Sequence, residues 1–257
     1  MQVTVCEFSD APERLRHEWA ALVTHVRRES SDLVLLPEMP FAPWFAAARP
    51  FSDAVWAAAV RAHEEWLARL PELAPAAVCG TRPVERHGRR LNEGFLWTDP
   101  GGYEPVHHKY YLPDEEDFWE ASWYARGAGD FAPCDIGGIR AGMLICTELW
   151  FGERARAYGR EGATLLLCPR ATPGSSRDKW LAGGRTAAVV AGAYCLSSNR
   201  GGTDERGLSW SGTGWIIDPE EGDVLALTSR ERPFVTLALD PQRAAAAKST
   251  YPRYVAE

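Results

Sequence analysis

Leu33-Val34-Leu35-Leu36-Pro37-Glu38 and Met143-Leu144-Ile145-Cys146-Thr147-Glu148 decide how this chain is read. Each begins as a short continuous apolar run, the pattern of a strand buried on both faces, and each stops abruptly at a residue able to do chemistry. Between them, His107-His108-Lys109-Tyr110-Tyr111 delivers a lysine just ahead of Leu112-Pro113. Ligands of α/β folds gather at strand ends. A carboxylate, an amine and a thiol converging there supply a base, an electrostatic stabiliser and a nucleophile.

Outward from these runs the chain alternates. Val3 to Phe8 and Asp32 to Leu36 read as strands, separated by a helix from Asp10 to Glu29 that Ser9 or Asp10 would cap. A second helix is predicted over Phe51 to Leu70, beginning at Ser52 or Asp53. Ala76 to Thr81, Asn92 to Thr98 and Tyr103 to His108 follow as strands, the first two joined through the polar turn at 85–89. Pro113 to Gly129 is acidic, aromatic and irregular, an elaborate loop. Gly138 to Cys146 and Ala163 to Cys168 are strands around a helix from Gly152 to Arg160, which Gly162 closes. Asp178 to Ala193 is a helix dense in alanine and glycine, with Ser176 as its cap. Strands at 194–198, 214–218, 224–228 and 234–239 then lead to a tail, Ala244 to Glu257. Mixed βαβ units and consecutive strands imply a layered α/β architecture with helices outside sheets.

Composition narrows the function. The 257 residues suit a single large domain, and 46% hydrophobic with 25% charged residues is the balance of a soluble globular protein. A net charge of −7 argues against a nucleic-acid partner, which would call for a basic face. No apolar run reaches the roughly 18 residues of a membrane span. The start, Met1-Gln2-Val3-Thr4-Val5, reads as a first strand rather than a signal peptide. The six cysteines, at 6, 79, 134, 146, 168 and 195, form no CxxC pair and no metal-ligand spacing. Reduced thiols in a cytoplasm, and no metal, are expected.

Among candidate residues Cys146 comes first. Its strand runs into an elbow at Thr147 to Gly152, ahead of a helix, which would expose the sulfur at the sheet edge. Cys168 ends a strand too and competes with it, but the following Pro169 has no N–H to offer an oxyanion, whereas Thr147 has. Glu38, set among Leu36, Met39, Phe41 and Trp44, would be a general base in a nearly apolar pocket. Lys109 would stabilise a nascent thiolate and oxyanion. Glu120, inside the aromatic loop, would orient Lys109 or share its proton transfer. Arg170 could pair with a substrate carboxylate, and a structural ion pair is the competing role. Trp44 and Glu148 complete the set expected near substrate. The adjacent His107 and His108 face opposite sides of an extended segment, a poor metal pair.

The ordered trio Glu38, Lys109, Cys146, in the contexts Leu33-Val34-Leu35-Leu36-Pro37-Glu38, His108-Lys109-Tyr110-Tyr111-Leu112-Pro113 and Leu144-Ile145-Cys146-Thr147-Glu148, resembles the nitrilase, or carbon–nitrogen hydrolase, superfamily. Glu120, seven residues before Gly127, falls where that family carries a second glutamate. The likeness continues through Gly162 to Pro169 and Ser197-Ser198-Asn199-Arg200 to Gly212-Thr213-Gly214, nearly the whole chain. It implies an αββα sandwich, commonly a homodimer, with one catalytic domain over 1–243 and the tail 244–257 placed to reach a partner subunit. It also implies a cofactor-free reaction. Glu38 takes the Cys146 proton, the thiolate attacks an amide, ureido or nitrile carbon, Lys109 and the Thr147 N–H hold the oxyanion, and water resolves the thioester.

His108 stands where the family commonly has arginine, and Thr147-Glu148 replaces an aromatic-Asp pair, changes that bear on substrate rather than on the trio. The expected activity is hydrolysis of a small linear amide or N-carbamoyl amide. A nitrilase, an acyltransferase and a catalytically silent scaffold of the same fold are the alternatives.

Overall fold

The computed structural model describes residues 1–210 and 212–255. Two half-sheets lie face to face with helices outside both. In the first half, β1 (Gln2–Ser9), β2 (Leu33–Leu35) and β3 (Ala77–Arg86) run parallel, and β4 (Arg89–Thr98) and β5 (Gly102–His108) extend the sheet antiparallel. In the second, β6 (Cys134–Ile136) pairs antiparallel with β7 (Ile139–Met143), which runs parallel to β8 (Leu165–Pro169) and β9 (Tyr194–Gly201). Next to β9 come β10 (Trp215–Ile217) and β11 (Val224–Leu227). The halves are sewn together at one strand. β1 pairs with β2 along one edge, while its other edge takes β12 (Phe234–Ala238) at Gln2–Cys6 and β9 at Glu7–Ser9.

Side-chain alternation assigns the layers. Leu33 and Leu35 share the central core with Val3, Val5, Leu144, Ile145 and Leu167. Val34 and Leu36 turn the other way, into a core with Leu15, Trp19 and Leu22 of α1 (Pro12–Glu29). Each such side chain, fully buried, contributes about 1.5–3 kcal/mol. Helix α2 (Asp53–Leu67) packs on β3, and α4 (Gly152–Arg160) and α5 (Arg177–Ala191) cover the second half-sheet. A short α3 (Glu120–Trp123) lies between β5 and β6. The fold is a single-domain α/β sandwich of the expected αββα type.

Several local expectations are corrected. Helix α1 has no side-chain cap, because the Asp10 carboxylate serves Arg200 and the Trp44 amide, and Ser9 bonds Glu18. Ser176 does not cap α5; its hydroxyl donates to the Pro173 carbonyl. The β3–β4 turn is tighter than expected, two residues long, with His87 and Gly88 both at positive φ. The boundary at 243 falls inside α6 (Pro241–Ala247). The following residues dock on the same chain: Lys248 Nζ donates to the Ala191 carbonyl at 2.6 Å and Arg253 pairs with Glu220 at 2.7 Å. Residues 256 and 257 of the tail lie outside the described residues. Among those described, no helix is long and apolar enough to cross a membrane.

Candidate active site

The three runs deliver their residues to one place, at the strand ends of the two facing half-sheets. After β2 the chain turns through Pro37, and the Glu38 N–H donates to the Arg170 carbonyl beyond β8 at 3.1 Å. Met39 then takes a positive φ and its N–H donates to Thr81 Oγ1 at 2.8 Å. Arg200, at the end of β9, donates through Nε to the Glu38 carbonyl and through its terminal nitrogens to Met39 O and Asp10. This backbone is held from both sides.

Lys109 follows β5, its N–H bonded to Asn92 O at 2.9 Å. Its ammonium lies 2.8 Å from Glu38 Oε1 and 2.6 Å from Glu120 Oε2, with no solvent access to the amine. Asn92 Nδ2 donates to the same Glu38 Oε1 at 2.8 Å. Glu38 therefore sits among polar partners rather than in the apolar pocket expected from its neighbours. Its Oε2 is buried and has no hydrogen-bond partner among the described residues. Burial works against the Lys109 charge, but Glu120 and Glu38 outweigh it and hold the ammonium above its ordinary range. Burial raises Glu120 to about 7, with Lys109 opposing and Glu38 adding to the rise.

Cys146 has φ +50°, a left-handed conformation that a side chain rarely adopts, and it turns the chain after β7 into one turn of 3-10 helix, Cys146–Trp150. The elbow expected there is present, but it does not leave the sulfur exposed at the sheet edge: Cys146 is buried, because the turn tucks its side chain between the two half-sheets' strand ends. The thiol is pushed up first by burial and then by the Glu38 charge, with Lys109 opposing. Thr147 is in the first turn of this short helix, where N–H groups have no intrahelical acceptor, and none of the described residues accepts its N–H. Cys146, Thr147 and Glu120 line a cavity of about 510 Å³. Cys168 does not line it; that thiol is fully buried behind the elbow, 4.0 Å from the Cys146 carbonyl.

Three residues expected at the substrate face elsewhere. Arg170 is buried, with Nε on Ser197 Oγ at 2.7 Å, Nη1 on Thr172 Oγ1 at 2.6 Å and Nη2 on the Thr213 carbonyl, and its guanidinium carbon is 3.8 Å from the Trp215 ring centroid. A guanidinium so committed has no face left for a ligand. Trp44 is buried with Phe45, Phe118 and Trp210, its indole N–H on the Asp117 carbonyl. Glu148 is buried and accepts from Ile145 N, His107 Nε2 and Tyr110 N at 2.8, 2.8 and 2.7 Å. It thereby ties the segment bearing Lys109 to the residue before Cys146. His107 and His108 do face apart, His108 towards buried Glu93.

Asn92, Thr81 and Arg200 were not marked by the sequence as site residues. Their signal was faint, a polar side chain within or at the end of a buried strand, which has to find a partner.

The sequence model of the carbon-nitrogen hydrolase family matches residues 5–249. A citrullinase from Francisella tularensis is 28% identical over 57% of this chain and 54% of its own, so the match spans about half that protein. An omega-amidase from Mus musculus is 24% identical over 90% of this chain and 85% of its own. The crystal structure of a carbon-nitrogen hydrolase from Helicobacter pylori superposes with a TM-score of 0.88 at 19% identity, covering 99% of this chain and 94% of that one. This chain belongs to the carbon-nitrogen hydrolase family.

Proposed function

We propose that the protein is a cysteine-dependent amidohydrolase acting on a small linear amide or N-carbamoyl amide. The observation that carries this is the buried Glu38–Lys109–Glu120 cluster beside a cavity-facing Cys146, in which Glu38 keeps one carboxylate oxygen without a hydrogen-bond partner among the described residues. A buried carboxylate with a free oxygen is a proton acceptor in waiting. With the thiol held high by burial, the proton moves to Glu38 as sulfur attacks the carbonyl carbon rather than beforehand. Negative charge then develops on the carbonyl oxygen, where Lys109 and the Thr147 N–H stabilise it. Collapse of the adduct forms the thioester and expels ammonia or an amine, which takes up the proton. Water, deprotonated by Glu38, attacks the thioester and releases the acid and the thiol. Glu120 holds Lys109 over Glu38 throughout. The amidase and carbamoyl-amidase relatives support this substrate class.

An ammonia-release screen over amides, ureido acids and nitriles tests the reading, together with mass spectrometry of the trapped acyl-enzyme. The expected adduct lies on the peptide containing Cys146, and Cys146→Ala is folded and inactive. Turnover by that variant, an adduct on Cys168, or activity confined to nitriles would overturn it.

A further inference from the structure

A second cavity, of about 380 Å³, opens at the carboxyl end of β1 and shares no lining residue with the one at Cys146. Helix α1, the end of β9 and the turn leading into β12 form its walls. At its floor lies Glu7, only 9% exposed, whose Oε2 has no hydrogen-bond partner among the described residues. Two glycines make room for this carboxylate: a Cβ at Gly201 or Gly212 would fall inside van der Waals contact of Glu7 Oε1. Gly212 has a positive φ and needs glycine for that reason alone. Gly201 does not, so the carboxylate is what keeps it small.

The surrounding groups do not supply Oε2 with a donor. The neighbouring Thr228 hydroxyl gives its proton to the Gly212 carbonyl at 2.7 Å. Burial raises Glu7 to about 7 against the opposing Thr228 hydroxyl, with Glu18 and Glu231 adding to the rise and Arg230 working against it. The other carboxylate of the cavity is well served: Glu18 accepts from Ser9 Oγ at 2.7 Å and Ser9 N at 3.0 Å, and Arg14 lies 3.4 Å away. A buried carboxylate oxygen without a donor is costly, and a ligand that brings a donor would relieve it. The rim has the opposite character. Arg14, His17 and Arg230 are exposed there, and Phe234 supplies an apolar side.

We propose that this cavity is a second ligand site, which takes a small zwitterion, an amino acid or ω-amino acid, with its ammonium group on Glu7 at the floor and its carboxylate towards Arg230 and Arg14 at the rim. An ammonium is compact and carries three donors, which suits one buried acceptor. A diamine would bring its second charge against the two arginines, and a simple carboxylic acid would leave Glu7 without a donor. The site is independent of the amidohydrolase reading.

Calorimetric titration of the full chain with glycine, β-alanine, γ-aminobutyrate and δ-aminovalerate, beside butylamine and butyrate, tests this. At least one of the four zwitterions should saturate a single site per chain, about tenfold or more tighter than the amine or the acid alone, the size expected of a charge-assisted contact. Glu7→Gln should weaken it by about tenfold or more, and Cys146→Ala should bind as the wild type. Arg230→Gln should weaken the zwitterion and leave butylamine unchanged; Arg230 is exposed, so this variant tests the site even if Glu7→Gln does not fold. The wild-type Kd should fall about tenfold from pH 6 to pH 8 as Glu7 gives up its proton, and Glu7→Gln should lose that fall. No saturable binding of any of the four, binding that folded Glu7→Gln and Arg230→Gln both leave unchanged, or butylamine bound as tightly as the zwitterions overturns the assignment.

Discussion

Lys109 Nζ and Glu38 Oε1 are 2.8 Å apart with neither side chain open to solvent, so among the described residues the ammonium alone is ion-paired with the two buried carboxylates it touches. Lys109→Met leaves Glu38 and Glu120 uncompensated. Breaking a buried pair in this way costs about 3–5 kcal/mol. Urea unfolding should show that loss at neutral pH. The loss should narrow as the pH falls and the stranded carboxylates take up protons. Turnover should be abolished across the range.

Glu120 sets one slope of the pH–stability curve. Its native pKa, raised to about 7, lies above the ordinary 4.5, so the folded state binds this proton more tightly than the unfolded chain. Its contribution is greatest below 4.5 and declines as the pH climbs through 7. Glu120→Gln should flatten that decline, as read from urea midpoints in steps across the interval, and should lower kcat because Lys109 loses a charged partner.

Glu93 gives the opposite slope. Burial alone would raise its pKa, but hydrogen bonds from His108, Tyr103 and Arg86 and the charge of Arg82 bring it down to about 2. Its stabilisation is complete above 4.5 and disappears as the pH falls towards 2. Glu93→Gln should lower Tm at neutral pH and leave it little changed near the acid end, since the wild-type carboxyl is neutral there too.

Glu148 is a positioning residue. Glu148→Ala strands three donors, on Ile145, Tyr110 and His107, and each buried unsatisfied donor costs about 1–3 kcal/mol. Stability should fall by about 3 kcal/mol or more. In Glu148→Gln, which keeps one acceptor oxygen, part of the stability should return. There kcat should drop further than KM rises, because Lys109 and Cys146 are no longer held in register. Equal changes in both constants would count against a positioning role.

At Gly142 in β7, an added Cβ would lie 2.4 Å from Tyr158 Cγ, inside van der Waals contact. Gly142→Ala should cost about 1–3 kcal/mol, the range for overpacking. Combining it with Tyr158→Leu should recover part of the loss in a double-mutant cycle, as contacting residues do.

The strands and the catalytic trio were legible because burial on both faces writes itself as an unbroken apolar run, and the reactive residues stand where those runs stop. What resisted was direction. Arg170 and Cys168 also follow the β8 run, yet one is locked onto Ser197 and Thr213 and the other is sealed behind Cys146. Sequence places a residue at a strand end without saying which side of the crevice its side chain takes. The α1 cap was misplaced for a related reason: Asp10 is claimed by Arg200, 190 residues away, a partner that no local pattern announces. β6 is only Cys134–Ile136, too short for alternation to register.

The seam at β1 has a consequence for how the site comes into being. β1 is made before all of its partners, and two of them, β9 and β12, follow it by about 190 and 230 residues. Glu38 and Lys109 belong to the half made early, Cys146 and Arg200 to the half made late. During synthesis the acid and the amine are therefore made long before the nucleophile, and before Arg170 and Arg200, which hold the Glu38 backbone in place. Catalytic competence would arise only when β1 has met β9 and β12, and contacts so distant in sequence make that closure slow.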